Sequence, residues 1–405
     1  MLTDADIDRL IAPIINRQRQ INSYALEQIA ERIKQIGNIL PSDVQKLISM
    51  RNAGADAKKL IKELAKMSEV QAREIKKLIR EVATSAYEEA KPLYDYRHKT
   101  FIPYGENENL QRQVEAMARQ TSRTYLNLSK AQGFMLRNLE DPTKLVPTPM
   151  AKAYQSVVDE AVQTVSSGVT NYSAAMRRTM SQLVESGIRR VVYVSEKGRH
   201  HTQRMDTAVR RNLLDGVRAI NQKVQDIIGE EIGSDGVEIS VHMNPAPDHE
   251  EMQGHQYTRE EFNKMQNSEN FKDIQGRDYT GFDRAVGTLN CRHFAYSIII
   301  GVQRQNYTDE QLKEILKKNK KGYTLPNGKH LTMYECTQEQ RRMETDIRKY
   351  KDGQMAALKA GDTELANKYQ AKIGEKTREY RAFSKACGLS VKLEKMNVPG
   401  YRAIK

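Results

Sequence analysis

The residues best suited to chemistry lie in positions 236–301, which hold half of the eight histidines and one of the three cysteines. Imidazole nitrogen and thiolate sulfur are the usual donor atoms of tetrahedral zinc sites, so this composition permits a metal centre. The candidate zinc ligands are His249, His255, Cys291 and His293. Their spacing matches no standard zinc finger, because 36 positions separate His255 from Cys291.

The same residues have two other interpretations. Cys291 and His293 could act as a thiol nucleophile and its base, because residues two positions apart share one face of a strand. No neighbouring feature of the sequence indicates a lowered thiol pKa, however. We favour a buried hydrogen-bonded cluster that joins two strands and a loop. Its candidate members are His242, His249, Gln253, Asn290, Cys291, Arg292 and His293.

Familiar enzyme motifs are missing from the sequence. There is no phosphate-binding Gly-x-x-x-x-Gly-Lys-Ser/Thr loop, no Gly-x-Gly-x-x-Gly and no Gly-x-Ser-x-Gly. The run that begins at His249, His-Glu-Glu-Met-Gln, lacks the second histidine of the zinc-protease pattern His-Glu-x-x-His. We therefore expect a non-enzymatic protein.

The charge of the chain is positive and unevenly distributed. The net charge is +13 over 405 residues, with a mean hydropathy of −0.71. Residues 301–405 contain 23 Lys and Arg against 13 Asp and Glu. This excess favours non-specific contact with DNA, and the candidate contacts are Lys317, Lys318, Lys320 and Lys321. An equally weighted alternative is a solvated, lysine-rich helical face.

Cysteine use and hydropathy indicate the compartment. Three well-separated cysteines imply no disulfide framework, which predicts a reducing environment. The first six residues, MLTDAD, are acidic where a signal peptide would be basic. No apolar run approaches the roughly 20 residues that span a bilayer. We expect assembly in the cytoplasm and no membrane segment.

Apolar residues recur with helical spacing along most of the chain. The predicted helices are 4–39, 44–50, 56–66, 69–90, 111–139, 150–185 (one or two helices), 201–228, one that begins after the N-cap Thr308, 334–360 and 363–386. The predicted strands are 190–194, 237–242 and 294–300. These elements predict an α+β fold that is predominantly helical.

Composition divides the predicted fold into three regions. A proline-rich stretch at 141–149 and Gly301 mark the predicted boundaries. Residues 1–146 form an N-terminal helical region, and residues 147–301 a small central α+β domain with few strands. Residues 302–405 form a basic C-terminal region with a long helical hairpin.

The predicted helix 201–228 carries charged residues near its start. Arg210 and Arg211 lie within about one turn of Asp206 and Asp215, so local ion pairs worth a few tenths of a kcal/mol each are expected. In a functional interpretation, Arg210 or Arg211 would face the loop after His242. We favour the self-paired, solvated face.

Several motifs together resemble one protein family. They are RMDTAVRR at 204–211, His242 with Pro247-x-His249, Gln253-Gly254, and Asn290-Cys291-Arg292-His293, followed by the C-terminal patterns that begin at Tyr334 and end at Tyr380-x-x-Phe383. These motifs resemble those of the phage minor capsid protein 2 family and, more distantly, the Mu-F-like head morphogenesis proteins. Met252 departs from the pattern, since relatives usually carry tryptophan there.

The resemblance implies a structural protein of the virion, encoded beside the portal gene. It further implies that the protein lies in the head in few copies, contacts the portal and other capsid proteins, and acts in head assembly or in DNA packaging and delivery. No established catalytic activity comes with the family. We expect no cofactor, with zinc as the alternative. Two rival hypotheses are a zinc- or thiol-dependent enzyme carried in the virion, such as a hydrolase or nuclease, and a nucleic-acid-binding protein without a virion role.

Overall fold

The computed structural model describes residues 4–37, 43–138, 141, 143–167, 172–194, 200–266, 271–272, 278–279, 286–287 and 291–404. The helices are α1 (Asp4–Gly37), α2 (Asp43–Glu88), α3 (Lys91–Tyr96), α4 (Glu108–Lys130), α5 (Met150–Ser167), α6 (Tyr172–Ser186), α7 (Met205–Ile232), α8 (Arg259–Gln266), α9 (Asp309–Lys321), α10 (Met333–Ala360) and α11 (Thr363–Ala386). The strands are β1 (Gly133–Arg137), β2 (Leu145–Pro149), β3 (Arg189–Val194), β4 (His200–Arg204), β5 (Gly236–Ile239), β6 (Gln256–Thr258), β7 (Phe271–Lys272), β8 (Asp278–Tyr279), β9 (Ala295–Ile298), β10 (Tyr323–Thr324) and β11 (His330–Leu331).

The predominantly helical α+β fold predicted from the sequence is confirmed. The predicted hairpin of long C-terminal helices is present as α10 and α11, and Asp362 caps α11 by accepting a hydrogen bond from the Leu365 N–H. The capping box at the start of α9 is also present, with Thr308 and Gln311 bonded reciprocally. None of the described helices combines the length and the hydropathy needed to cross a bilayer.

The three helices predicted between residues 44 and 90 are in fact one, α2. Buried Ala53, Leu60, Ser68 and Ile75 lie seven or eight positions apart, so a single helical stripe continues across both predicted breaks. The Ser68 hydroxyl donates to the Leu64 carbonyl and is satisfied within the helix. No proline interrupts this range, so the helix continues.

Two predicted helices were too long because short strands adjoin them. The helix predicted to reach residue 139 ends at Lys130, and β1 follows from Gly133, where a side chain would meet the backbone of Thr148 on β2. The helix predicted to start at residue 201 begins at Met205, because residues 200–204 pair with β3 as β4. The proline-rich stretch supplies β2, an edge strand, which is where a sheet tolerates proline.

The chain forms two compact units, each assembled from three stretches of sequence. Unit 1 comprises Met1–Ala12, Arg73–Arg123 and Arg211–Glu339, and unit 2 comprises Pro13–Ala72, Thr124–Arg210 and Gln340–Lys405.

Unit 1 contains an antiparallel three-stranded sheet in the order β6-β5-β9. The register of β5 and β9 runs from Gly236 opposite Ile298 to Ile239 opposite Ala295. The core beside this sheet is aliphatic and sulfur-rich, with a single tyrosine and a single phenylalanine. It consists of Val237, Ile239, Met252, Tyr257, Phe262, Met265, Val286, Cys291 and Ala295.

Unit 2 contains an antiparallel four-stranded sheet in the order β2-β1-β3-β4 and the helical hairpin from Gln340 onward. Ile347, Ile373, Tyr380 and Met396 form the apolar seam of the hairpin and the segment that follows it. The Tyr380 hydroxyl accepts a hydrogen bond from the Lys392 N–H and donates one to Glu344, so this buried polar group is satisfied.

Candidate functional site

The loop after β5 is held at both sides by backbone hydrogen bonds in unit 1. The Gly254 N–H donates to the Ile239 carbonyl at 2.8 Å, and the Ile239 N–H donates to the His255 carbonyl at 3.2 Å. The Ser240 N–H donates to the Phe294 carbonyl at 2.8 Å, and the Phe294 N–H donates to Ser240 Oγ at 2.9 Å. The loop and the segment before β9 are thereby fixed beside each other.

Three buried side chains meet between these two segments. His249 ends a short 3-10 turn, Pro247–His249, whereas Cys291 and His293 lie on the segment that leads into β9. Cys291 Sγ is 3.2 Å from His249 Nδ1 and 3.4 Å from His293 Nδ1. The exposed fractions of His249, Cys291 and His293 are 1%, 3% and 1%. We call these three residues the His–Cys cluster.

Oxygen atoms lie beside the outer nitrogen of each clustered imidazole. Gln253 Oε1 is 3.2 Å from His293 Nε2 and also accepts the His242 N–H at 3.1 Å. Asp248 Oδ2 is 3.6 Å from His249 Nε2. Both imidazoles thus direct Nδ1 at the sulfur and Nε2 at an oxygen.

The surroundings of Cys291 stabilise a thiolate. Burial alone would raise the pKa of the Cys291 thiol, but the hydrogen bond and the charge of His249 outweigh burial. The backbone N–H groups of Gly287 and His293 also donate to the sulfur. The net result is a thiol pKa below its ordinary value. The sequence contained no local signal of this, because His249 is distant along the chain.

The other residues assigned from the sequence to this region have different surroundings. Gly254 adopts a φ of +78°, and a Cβ there would meet Leu312 of α9 and Val241. Arg292 lies 3.8 Å from the carboxylate of Asp8, away from the His–Cys cluster. His255, predicted as a metal ligand, lies 3.9 Å from Asp309 instead. Asn290 lies outside the described residues.

His242 lies at the margin of the His–Cys cluster. Its ring centroid is 4.3 Å from that of His293, and the two rings are tilted by 39°. Its Nδ1 atom is 3.1 Å from the Met243 carbonyl.

Within the described residues, the one group of His, Cys, Asp or Glu side chains close enough to share a metal ion is His249, Cys291 and His293, with donor atoms within 4.8 Å of one another.

Asp206 has a different role from the surface ion pairs predicted for it. It is buried in unit 2, 4.0 Å from Arg19 Nε, 3.5 Å from Arg204 Nε and 3.1 Å from Arg348 Nε. Burial alone would raise the pKa of the Asp206 carboxyl, but the three guanidinium charges hold it well below its ordinary range. Arg210, the other predicted residue in this unit, is partly buried.

A second carboxylate extends this charged group. Asp352 accepts hydrogen bonds from Arg204 at 3.1 Å and from the Ser23 hydroxyl at 2.9 Å. Burial raises the pKa of Asp352. The sequence did not identify Arg19 as a site residue, although it lies four positions after buried Ile15 on the apolar face of α1.

The charged group also holds the C-terminal segment of unit 2. Arg19 donates to the carbonyls of Glu394 and Asn397 at 3.1 and 2.9 Å. Arg348 donates to the Lys395 carbonyl at 2.6 Å. These charge-assisted bonds satisfy carbonyls of a segment outside the long helices.

The four predicted DNA-contacting lysines are exposed on α9 in unit 1. Lys317 lies 3.9 Å from Glu314, and Lys320 lies 3.6 Å from Glu251. These carboxylates reduce the positive electrostatic potential of this face of α9. Arg211, also in unit 1, is partly buried on α7.

Unit 1 also contains a cavity of about 480 Å³. Its lining includes Leu93, Asn221, Glu238, Tyr296 and Arg304. None of the described residues that line it belongs to the His–Cys cluster, so this cavity and the cluster are separate features.

Comparison with known proteins gives the family. A family model described as phage minor capsid protein 2 matches residues 2–385, which confirms the resemblance carried by the sequence motifs. Neither the curated protein sequences nor the solved structures give a significant match to the chain. Because the family model covers nearly the whole sequence, the chain belongs to the phage minor capsid protein 2 family and is a structural protein of a bacteriophage particle.

Proposed function

We propose that this chain is a minor head protein that contacts the portal and the packaged DNA and is incorporated during head assembly in the host cytoplasm. The family match over residues 2–385 carries this proposal. A helical chain with a basic C-terminal quarter, containing 23 Lys and Arg against 13 Asp and Glu, suits a protein that lies among capsid proteins and phosphates.

The proposal assigns a structural role, not catalysis, to the His–Cys cluster. Reactive cysteines are partly exposed and lie in electropositive surroundings, because a nucleophile must reach its substrate. Cys291 has a lowered thiol pKa but is only 3% exposed and belongs to the core beside the sheet of unit 1. This burial favours a packing role over a thiol-dependent hydrolase or nuclease.

Contact with DNA is proposed for the exposed lysines of α9. Lysine ammonium groups bind phosphates as point charges, without reading sequence. All four lysines, Lys317, Lys318, Lys320 and Lys321, lie in the last five positions of the helix. Ion pairs with Glu314 and Glu251 reduce the attraction of these lysines for phosphate, which suits weak contact with densely packed DNA.

Cross-linking mass spectrometry of purified particles tests the portal contact. We expect lysine-reactive cross-links between this chain and the portal protein in intact heads, and none when heads are dissociated before cross-linking. Cross-links to tail proteins alone would contradict the proposed position. Because the protein must be in the particle for either result, its own peptides serve as the internal control.

A further inference from the structure

We propose that His249, Cys291 and His293 bind a zinc ion that joins the loop after β5 to the segment before β9. This inference does not depend on the virion role. It depends on four features of the His–Cys cluster: the tautomer of His293, the donors around the sulfur, the distances from the sulfur to the two nitrogens, and the oxygens beside the outer ring nitrogens.

Gln253 fixes the tautomer of His293. Gln253 Oε1 has only lone pairs to offer, so His293 Nε2 must donate to it across 3.2 Å. In a neutral imidazole the Nδ1 atom of His293 then presents a lone pair to Cys291 Sγ. His249 Nδ1 also faces that sulfur. A metal ion placed among these three atoms would bind both nitrogens and the sulfur.

The sulfur is surrounded as a thiolate ligand would be. The N–H groups of Gly287 and His293 donate to Cys291 Sγ, the latter at 3.4 Å. Hydrogen bonds to the charged form favour that form. Metal binding needs the deprotonated sulfur, so these donors prepare the ligand before the ion arrives.

The two sulfur–nitrogen distances match tetrahedral zinc. Bond lengths of about 2.3 Å to sulfur and 2.0–2.1 Å to nitrogen place the two donor atoms roughly 3.5 Å apart. The observed separations from Cys291 Sγ are 3.2 Å to His249 Nδ1 and 3.4 Å to His293 Nδ1. All three donor atoms lie within 4.8 Å of one another.

Each clustered histidine has an oxygen atom beside its outer ring nitrogen, as metal-bound histidines do. A metal-bound histidine almost always gives its other ring nitrogen to a carboxylate or another oxygen, which fixes the tautomer. Gln253 does this for His293, and Asp248 is 3.6 Å from His249 Nε2. Two nitrogens and one sulfur are the donor set that zinc accepts readily.

Binding exchanges a proton for a metal ion. Cys291 Sγ releases its proton to solvent and forms the Zn–S bond, while the Nδ1 lone pairs of His249 and His293 form the two Zn–N bonds. The Nε2 protons remain in place.

Metal analysis of the full-length protein tests the site. We expect one zinc ion per chain in protein purified without chelator, loss of the ion and a lower Tm after chelation, and recovery of both on adding zinc chloride. The wild-type measurement needs no substitution, so it stands even if a variant fails to fold. Zinc-free protein that takes up no zinc and shows no change in Tm would overturn the proposal.

Variants identify the ligands. Cys291→Ser and His293→Asn should lose the zinc, whereas the matched controls Cys336→Ser and His255→Asn should keep one ion per chain. Gln253→Ala should weaken zinc binding by about 10- to 100-fold, because it removes the oxygen that orients His293. Equal zinc content in Cys291→Ser and wild type would overturn the assignment.

Cobalt substitution gives a direct signature of the sulfur ligand. A cobalt–thiolate bond adds a charge-transfer band in the near ultraviolet. We expect this band in wild type and in Cys336→Ser but not in Cys291→Ser. Wild-type protein that binds cobalt without the band would exclude Cys291 as a ligand.

Discussion

Arg348 Nε lies 3.1 Å from Asp206 Oδ2, and the two side chains are only 8% and 3% exposed. The same carboxylate faces the guanidinium groups of Arg19 and Arg204. The three buried guanidinium groups thus share this carboxylate, and Asp352 and Glu344 add further negative charge near them. A buried ion pair adds little net stability, but removal of one partner leaves the charge of the other buried without compensation.

Asp206→Asn should therefore destabilise unit 2 strongly at neutral pH. The asparagine preserves shape but leaves the guanidinium groups without their shared charge, and we expect a loss of about 3–5 kcal/mol in unfolding free energy. The folded pKa of Asp206 is lowered, so its contribution is complete above the ordinary aspartate pKa and is lost as pH falls through the folded value. Urea unfolding followed by circular dichroism measures the loss.

Asp346→Asn is the matched control for that substitution. Asp346 lies on α10 but is partly exposed and pairs with Lys349 at 3.7 Å, three positions away. The expected change is within about 0.5 kcal/mol. Equal effects of the two substitutions would show that the buried charges do not depend on Asp206.

Glu344→Gln should change the pH dependence of stability. Burial raises the pKa of Glu344, opposed by Arg348, the Tyr380 hydroxyl, Lys395 and Lys392. The stability that Glu344 contributes is therefore present below the ordinary glutamate pKa, about 4.3, and is lost as pH rises through the higher folded value.

Glutamine cannot ionise and still accepts the Tyr380 hydrogen bond. The Tm of Glu344→Gln relative to wild type should therefore rise as pH increases from about 4 to 7, because ionisation of the buried group destabilises only wild type. Differential scanning calorimetry at several pH values measures this difference. A constant difference across the range would refute the assigned cause.

Gly254→Ala should destabilise unit 1 through strain and overlap together. Alanine is strained at a φ of +78°, and its Cβ would lie 2.8 Å from Val241 Cγ2 and closer still to Leu312. Gly328→Ala is the matched control, since Gly328 has a φ of +82° but nothing within 4 Å of a Cβ. We expect about 1 kcal/mol for the control and at least about 2 kcal/mol for Gly254→Ala in thermal unfolding. Equal losses of stability in Gly254→Ala and Gly328→Ala would show that overlap with Val241 and Leu312 adds nothing to the backbone strain.

Neutralising the α9 lysines should weaken DNA binding and flatten its salt dependence. When Lys317, Lys318, Lys320 and Lys321 become glutamine, the slope of log K against log salt should fall by up to about 0.9 for each phosphate that is no longer neutralised. A matched control changes four exposed lysines of α2, Lys58, Lys59, Lys62 and Lys66. Fluorescence anisotropy with a DNA duplex measures both variants. Identical slopes for the two variants would reject a specific role for α9.

Periodicity was a good guide to three of the long helices, but it divided the longest, α2, into three and misplaced the ends of others. Apolar spacing predicted α1, α10 and α11 nearly to the residue, because each buries a regular stripe. Most residues of the short strands β1 and β4 were instead predicted as the ends of neighbouring helices. Their pairing is decided by tertiary partners, such as the Thr148 backbone against Gly133, which local propensity does not encode.

Residue type and spacing could predict part of the candidate site. The shared face of Cys291 and His293 follows from their two-residue separation. The arrival of His249, 42 positions away in the sequence, depends on how the loop folds. The buried environment of Asp206 depends on Arg19 and Arg348, which lie in other helices, so its sequence neighbours suggested the wrong kind of ion pair.

The central claim, a structural protein of the phage head, is tested most directly by quantitative mass spectrometry of purified particles. Heads separated from tails by density gradient should contain this chain at a copy number well below that of the major capsid protein. Empty heads formed without DNA packaging should contain it as well, because the proposed incorporation takes place during head assembly, before DNA is packaged. Absence of its peptides from purified heads would contradict the account.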